Sequence, residues 1–271
     1  MGKIKEKIAT IVGAVVITGV ATTGLLLFGD VNDTSDPHDI IVSFADGDVT
    51  YNIPAYNNTP YITLNNNQPI FEEFELKTEA YEEYSDLDTL GRCTLASAIC
   101  CEETMPKPGE KRGSISNVKP TGWVQAKYDC VPGKILYNRC HLIGWQLTAE
   151  NANKKNLITG TRYLNIDGML DHENMVAEYI KEYDGYVAYQ VTPIFKGNNL
   201  VATGVQMEGY SIDDSGKSIC FNIFAYNVQP GVDIDYQTGD SKLLEELENN
   251  SALLFINWKI FQKRLDKLIM I

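Results

Sequence analysis

The 271-residue chain predicts an α+β fold whose sheet is mainly antiparallel. Its 15 tyrosines and 9 phenylalanines favour a β-rich interior. Near residue 220, Ile219, Phe221 and Ile223 alternate with the residues between them, which is the two-residue period of a sheet. In residues 165–183, by contrast, Met169 and Val176 are seven positions apart, the spacing of one helix face. One helix therefore accompanies several strands.

The remaining elements follow from the same patterns in chain order. A turn rich in Asp, Ser and Gly at residues 213–216 joins the last two strands. Ordered loops are expected at residues 106–122, which are rich in Gly and Pro, and at residues 151–156. The predicted strands cover residues 49–55, 61–64, 91–99, 134–143, 157–161, 186–195, 200–211 and 218–227.

The N-terminal segment, residues 1–29, predicts a membrane anchor or a signal segment. Residues 8–29 contain no charged side chain and are long enough to span a bilayer as a helix. The positive-inside rule then puts everything after residue 30 outside the cell, whether or not the segment is cleaved. The flanking charges on which this orientation depends are Lys3, Lys5, Lys7, Asp30, Asp33 and Asp36.

Three further regions follow this segment. Residues 30–48 are polar and acidic and predict a linker, residues 49–240 predict the globular domain, and residues 241–271 predict a helical tail with apolar residues at helical spacing. The six cysteines include no Cys-x-x-Cys pair, so a zinc site has little support. An exported domain permits disulfides, but the sequence leaves their pairing open.

The distribution of charge favours a phosphate-binding function. A formal net charge of -13 for the whole chain argues against binding a polyanion. Between residues 107 and 162, however, there are ten basic and only three acidic residues. Such a basic island is typical of a nucleic-acid site, although charge alone leaves a chance cluster on a solvated face as the alternative.

The predicted strand at residues 134–143 places two chemically useful side chains together. Because side chains alternate along a strand, Arg139 and His141 share one face, while Asn138 and Cys140 share the other. We expect Arg139 to hold a phosphate and His141 to abstract a proton from water. A core histidine satisfied by hydrogen bonds is the alternative for His141.

The predicted helix carries two polar residues on its apolar face. Asn165 lies four residues before Met169, and Glu173 lies four residues after it. An amide and a carboxylate on an inward face need partners, and a hard cation such as Mg²⁺ prefers oxygen ligands. We therefore expect Asn165 to bind Mg²⁺ beside His141. A helix-capping asparagine is the alternative for Asn165.

The run Asn138-Arg139-Cys140-His141, followed by Asn156 and Asn165, resembles the DNA/RNA non-specific endonucleases of the ββα-metal (His-Me finger) class. The likeness is nearest to the streptodornase-type branch. The usual first motif is Asp-Arg-Gly-His, so asparagine and cysteine replace its aspartate and glycine. The resemblance runs from about residue 91 to 241 and includes residues 110–115, 118–123, 137–144, 156–165, 228–231 and 235–240.

This resemblance implies a ββα-metal active-site motif with assigned roles. His141 corresponds to the general base, Asn165 to the direct metal ligand, and Glu173 to the carboxylate that holds the waters around the metal. Asn156 matches a polar residue near the metal and the phosphate, and Arg112 matches the upstream arginine that steadies the phosphate. Arg139 fits the arginine of the motif, and whether it contacts the substrate or the structure is left open. The implied cofactor is Mg²⁺, with Mn²⁺ as a substitute.

The expected function is that of an exported, metal-dependent endonuclease that cleaves DNA, with RNA as a further substrate, and that contacts the membrane through residues 1–29. A non-catalytic surface protein that captures DNA for uptake is the first alternative. A toxin-like effector with a cognate inhibitor protein is the second. Loss of plasmid cleavage on addition of EDTA would separate the enzyme from the capture protein.

Overall fold

The computed structural model describes residues 40–43, 50–71 and 76–244. The predicted anchor (residues 1–29) and most of the predicted tail (residues 245–271) lie outside these ranges. The helices are α1 (Trp145–Thr148) and α2 (Leu170–Tyr183). The strands are β1 (Ile40–Ser43), β2 (Thr50–Ile53), β3 (Tyr61–Thr63), β4 (Tyr81–Tyr84), β5 (Ala96–Cys100), β6 (Tyr137–His141), β7 (Leu157–Thr161), β8 (Val187–Ile194), β9 (Gly204–Ser211), β10 (Cys220–Tyr226), β11 (Val232–Ile234) and β12 (Ser241–Leu243).

A six-stranded sheet forms the centre of the fold. Its strand order is β3-β10-β9-β8-β5-β4, and every neighbouring pair is antiparallel. The alternating residues Phe221 and Ile223 of β10 are buried in the main apolar core. This arrangement confirms the prediction of an α+β fold with a mainly antiparallel sheet.

Helix α2 supplies the other side of this core. Met169 precedes the helix, and Val176 and Ile180 lie within it; all three are almost inaccessible and belong to the same cluster as Val187 and Tyr189 of β8. Each such burial contributes on the order of 2 kcal/mol to folding. The helix is thereby fixed against the sheet, which fixes the polar residues that it carries as well.

Strands β6 and β7 form a separate two-stranded ribbon that leads into α2. His141 pairs with Leu157 and Arg139 pairs with Thr159 in antiparallel register. A π-helical turn, Leu164–Met169, connects the ribbon to α2. Helix α1 lies between β6 and β7 in the chain, but the pairing of the two strands and the π-helical turn after β7 bring the end of β6 close to the beginning of α2.

Several predicted boundaries require correction. The predicted linker contains β1, which pairs with β2, and the predicted helical tail begins with β12, which pairs with β11. Strand β4 was not predicted, because its sequence Tyr-Glu-Glu-Tyr is mostly exposed at the edge of the sheet and lacks an apolar face. All six cysteines are free thiols. The described residues contain no helix that is both long and apolar enough to cross a membrane.

Candidate active site

A cleft of about 190 Å³ opens where β6 ends and α2 begins. The end of β6, the start of α1, the π-helical turn and the first turn of α2 form its walls. Four of the six predicted site residues line it, so the fold brings them together as expected. The lining residues are Arg112, His141, Gly144, Trp145, Gln146, Asn165, Leu170 and Glu173.

Two hydrogen bonds define the state of His141. Its Nε2 lies 2.8 Å from the backbone oxygen of Asn151, and its Nδ1 lies 3.0 Å from Nη2 of Arg112. A carbonyl can only accept and a guanidinium can only donate. Nε2 therefore carries the proton, while Nδ1 offers its lone pair. The ring is held as a neutral imidazole in one tautomer.

The environment of His141 keeps it neutral over a wide pH range. The side chain is only 6% exposed. Burial is the main cause that lowers its pKa, and the positive charge of Arg112 lowers it further, to about 4. The bond to the Asn151 carbonyl acts in the opposite direction but is outweighed. At neutral pH the residue can therefore act as a base.

Asn165 lies in the π-helical turn before α2. The hydroxyl of Thr161 accepts a hydrogen bond from the backbone N–H of Leu164 at 2.9 Å, which helps to hold the start of the turn. A π-helical turn is rare in proteins and is often found at functional sites. The side-chain oxygen of Asn165 accepts a hydrogen bond from the thiol of Cys140 at 3.2 Å. Burial raises the pKa of that thiol, so the sulfur keeps its proton.

Glu173 places a carboxylate in the opposite wall of the cleft. Burial raises its pKa to about 7, against the opposing effects of Arg112 and Gln146. Gly144 provides the space for this carboxylate, because a Cβ atom at position 144 would lie only 2.6 Å from a Glu173 oxygen. A cation beside this carboxylate would favour its charged form.

The oxygen atoms in the cleft fit a magnesium ion better than a softer metal. The described residues contain no group of three His, Cys, Asp or Glu side chains that could enclose a metal. Asn165 and Glu173 instead offer one amide oxygen and one carboxylate. Mg²⁺ is commonly bound through one or two carboxylates or other oxygens while it keeps several waters.

Arg139 lies outside the cleft lining although it shares a strand with His141. Its Nε donates to the backbone oxygen of Val118 at 2.5 Å, and its Nη2 donates to that of Ser116 at 3.0 Å. The guanidinium also stacks over the ring of Trp123, 4.3 Å from the centroid. These contacts hold the loop before β6 against the ribbon, so the expectation that Arg139 holds a phosphate beside His141 does not match its position.

Asn156 is also outside the cleft lining. Its side chain is completely buried; its Oδ1 accepts from the backbone N–H of Ile143 at 2.9 Å, and its Nδ2 donates to the backbone oxygen of Ile143 at 3.0 Å. The oxygen and the NH₂ group of the Asn156 amide are therefore both used to fix the backbone of Ile143, two residues after His141. The predicted position of Asn156 near the phosphate does not match this arrangement.

Some residues of the site had no signal in the sequence. Asn151 acts on His141 through a backbone carbonyl, which every residue type possesses. Gly144 acts by lacking a side chain, and its partner Glu173 is 29 positions away. The replacement of the motif glycine by Cys140 was visible, but its contact with Asn165 appears only in three dimensions.

The basic island places cations at the protein surface. Lys134 and Lys155 form surface ion pairs with Asp129 and Asp86. Lys119 and Lys154 line a small groove beside the ribbon, and no acidic side chain of the described residues lies within 4 Å of either ammonium group. Lys119 and Lys154 therefore offer two uncompensated positive charges to a polyanion that reaches this groove.

Comparison with known proteins adds independent findings. The family model for DNA/RNA non-specific endonuclease matches residues 73–213, more than half of the chain. The fold is similar to a crystal structure of NucA from Streptococcus agalactiae with a magnesium ion bound, with a TM-score of 0.59, 26% identity, and coverage of 69% of this chain and 91% of NucA. It is also similar to the Sda1 nuclease with a bound zinc ion, with a TM-score of 0.55, 27% identity, and coverage of 61% and 80%.

Proposed function

Because the chain belongs to the DNA/RNA non-specific endonuclease family and is therefore an endonuclease, we propose that it hydrolyses DNA phosphodiester bonds with the help of Mg²⁺. One observation carries the proposal. His141 is held as a neutral base with its Nδ1 lone pair at the same cleft that contains the oxygens of Asn165 and Glu173. RNA is the second proposed substrate, because the family is described as non-specific between DNA and RNA.

His141 supplies the base of the proposed reaction. Its Nδ1 takes a proton from a water molecule, whose oxygen forms a bond to the phosphorus of the scissile phosphodiester. The P–O bond to one of the two sugars breaks, and the released sugar oxygen leaves with the electron pair and takes a proton from solvent. The imidazolium that forms keeps its Nε2–H on the carbonyl of Asn151, so the ring stays in place while positive charge develops. A fixed tautomer therefore assigns one nitrogen to catalysis and the other to orientation.

Arg112 is the group that binds the phosphate. Its side chain is exposed, and its Nη2 donates a hydrogen bond to the Nδ1 lone pair of the neutral His141 ring. A phosphate is an anion and forms a stronger, charge-assisted bond with a guanidinium. Substrate binding therefore draws Arg112 from His141 to the phosphate, and the same movement frees Nδ1 for the attacking water.

Asn165 and Glu173 would hold the metal ion. When bound, Mg²⁺ supplies positive charge that stabilises the negative charge of the reacting phosphate. Magnesium is present in the NucA structure that resembles this fold. Zinc is present in the Sda1 structure, but the oxygen-only side chains here suit zinc less well. Mn²⁺, which accepts oxygen ligands, is the expected substitute.

Arg139 and Asn156 position the site instead of touching the substrate. Arg139 uses two of its N–H groups on backbone carbonyls, and Asn156 uses its whole amide on Ile143. Together they hold the chain on both sides of His141. Their loss would disturb the placement of the base without removing a contact to the substrate.

The place of action is the outside of the cell. Residues 8–29 carry no charge, and the flanking charges orient the segment with its N-terminus inside. We infer that the nuclease domain is exported, either tethered to the membrane by residues 1–29 or released after cleavage. Its substrate would then be nucleic acid outside the cell.

Plasmid nicking tests the function. Wild-type protein is assayed across a Mg²⁺ titration beside His141→Ala and Asn165→Ala, and we expect each variant to lose about 10²- to 10⁴-fold in rate. EDTA should stop the wild-type reaction. His172→Ala is the matched control, because His172 is equally buried but packs between Tyr61 and Phe221, away from the cleft.

Two results would overturn the proposal. Cleavage by His141→Ala at the wild-type rate would remove His141 from the mechanism. DNA binding that survives EDTA in a gel shift, without any cleavage by the wild type under any metal, would instead favour a DNA-capture protein. His172→Ala is compared below its melting temperature, so that lost packing is not mistaken for lost chemistry.

A further inference from the structure

Cys140 links the strand that carries the base to the proposed metal ligand. It precedes His141 in β6, and its side chain is only 1% exposed. Its thiol donates to the side-chain oxygen of Asn165 at 3.2 Å and lies 3.5 Å from the sulfur of Met169. These contacts join the ribbon to the π-helical turn at the position that matters most for binding a cation.

We propose that Cys140 is a positioning residue that presents the Asn165 oxygen to the metal ion. The proposal rests on the metal-dependent function given above and adds a residue to it. Cys140 itself does not touch the metal or the nucleic acid. It acts by selecting one of the two orientations of the Asn165 amide.

The selection follows from the chemistry of the two groups. A side-chain amide has an oxygen that attracts a cation and an NH₂ group that repels one, and rotation exchanges the two. A protonated thiol is mainly a donor, so its hydrogen bond favours the oxygen at this position. The oxygen has two lone pairs, and the bond from Cys140 uses one of them. Asn165 is only partly buried, so without the thiol its amide has more freedom to turn.

The ribbon is built to accept a side chain at position 140. A Cβ atom at Gly160 on β7 would lie 2.6 Å from the Cβ and 3.2 Å from the sulfur of Cys140. Glycine on one strand therefore makes room for cysteine on the other. The usual Asp-Arg-Gly-His motif has glycine at position 140, and glycine has no side-chain donor for Asn165.

Metal binding without nucleic acid tests the proposal. The affinity for Mn²⁺ is measured by electron paramagnetic resonance of the free ion, and that for Mg²⁺ by calorimetry. We expect Cys140→Ala to weaken both affinities about fivefold, since outer partners of metal ligands tune affinity and a thiol is a weak donor. Cys140→Ser keeps a donor and should stay within about twofold of wild type.

Cys93→Ala is the matched control for losing a buried thiol. Cys93 is 5% exposed and donates to the backbone oxygens of Lys154 and Leu157, and it does not line the cleft. This variant should lose stability but retain the wild-type metal affinity. Folding of each variant is checked by its thermal unfolding before the titration.

The outcomes separate this inference from the proposed function. If wild type binds the metal and folded Cys140→Ala binds it equally well, the positioning role is wrong and the metal-dependent function stands. If wild type itself binds neither ion and cleaves DNA in EDTA, the proposed function is wrong and the positioning role falls with it. Weaker binding by Cys140→Ala with recovery in Cys140→Ser supports the role.

Discussion

Two arginines that contact the ribbon of β6 and β7 use their guanidinium groups in opposite ways. At the end of β6, Arg112 makes one hydrogen bond to the neutral ring of His141, and its guanidinium remains exposed to the cleft. In the middle of β6, Arg139 donates to two backbone carbonyls and stacks on Trp123. An arginine can move to a phosphate at little cost only if its donors can leave their present partners.

The difference lies in what each arginine would leave behind. If Arg139 moved to a substrate, the carbonyls of Val118 and Ser116 would lose their donors, and the loop would lose its attachment to the ribbon. If Arg112 moved, only the Nδ1 lone pair of His141 would be uncovered, and the proposed reaction needs that lone pair. The contacts of Arg139 maintain structure, whereas the contact of Arg112 can be exchanged for a phosphate.

The largest effect that tests this comparison is expected from Arg112→Ala. The variant should lose about 10²- to 10³-fold in kcat/KM for plasmid DNA, because a charge-assisted contact to the reacting phosphate is removed. Its melting temperature should change little, because the side chain is exposed and makes a single hydrogen bond. Steady-state kinetics and calorimetry on the same preparation measure both quantities.

Arg139→Ala is the matched variant and should show the reverse pattern. Loss of two hydrogen bonds and a cation–π contact should cost about 2 kcal/mol of unfolding free energy, while kcat/KM at low temperature should fall by less than about tenfold. A large kinetic loss in Arg139→Ala with unchanged stability would break the comparison, since it would place that arginine on the substrate.

The next effect concerns Asn156, which holds the end of the same strand. Asn156→Ala leaves the N–H and the carbonyl of Ile143 without their side-chain partners inside the protein. We expect a loss of about 3 kcal/mol in unfolding free energy, measured by urea denaturation. Asn165→Ala should cost much less stability because Asn165 is only partly buried. If Asn156→Ala is as stable as wild type, the structural role is wrong, and a role of Asn156 at the phosphate is favoured instead.

The sequence predicted those features that depend on local pattern. The strand alternation at Phe221 and the apolar stripe through Val176 identified β10 and α2 because both patterns repeat within one element. The cleft partners His141, Arg112, Asn165 and Glu173 were named from the motif and its resemblance, and the fold brings them together.

The remaining features depend on contacts that no single segment encodes. Alternation along β6 predicts that Arg139 and His141 share a face, but it could not show that the loop at Val118 covers the side chain of Arg139. The fixed tautomer of His141 depends on the backbone of Asn151, ten residues later. Backbone groups carry no residue-specific signal, so these contacts required the folded chain.

The smallest predicted effect concerns the pKa of His141 and tests whether Arg112 truly rests on its lone pair. In the folded protein this pKa is lowered to about 4, mainly by burial and further by Arg112, whereas the unfolded value is near 6.5. The unfolded chain therefore binds more protons between these values. His141 contributes stability that is present above about pH 6.5 and is lost as the pH falls towards 4.

Arg112→Ala should raise the folded pKa of His141, because it removes both a positive charge and a donor to the unprotonated nitrogen. The pH range over which this stability is lost would then narrow from its acidic end. Titration of the His141 Cε1–H resonance by NMR measures the shift directly, and the pH dependence of unfolding checks its consequence.

Arg139→Ala is the control and should leave the pKa of His141 unchanged, since the guanidinium of Arg139 is bound to Val118 and Ser116. A pKa that does not move in Arg112→Ala would mean that Arg112 does not occupy Nδ1, and the exchange of Arg112 between base and phosphate would have to be abandoned.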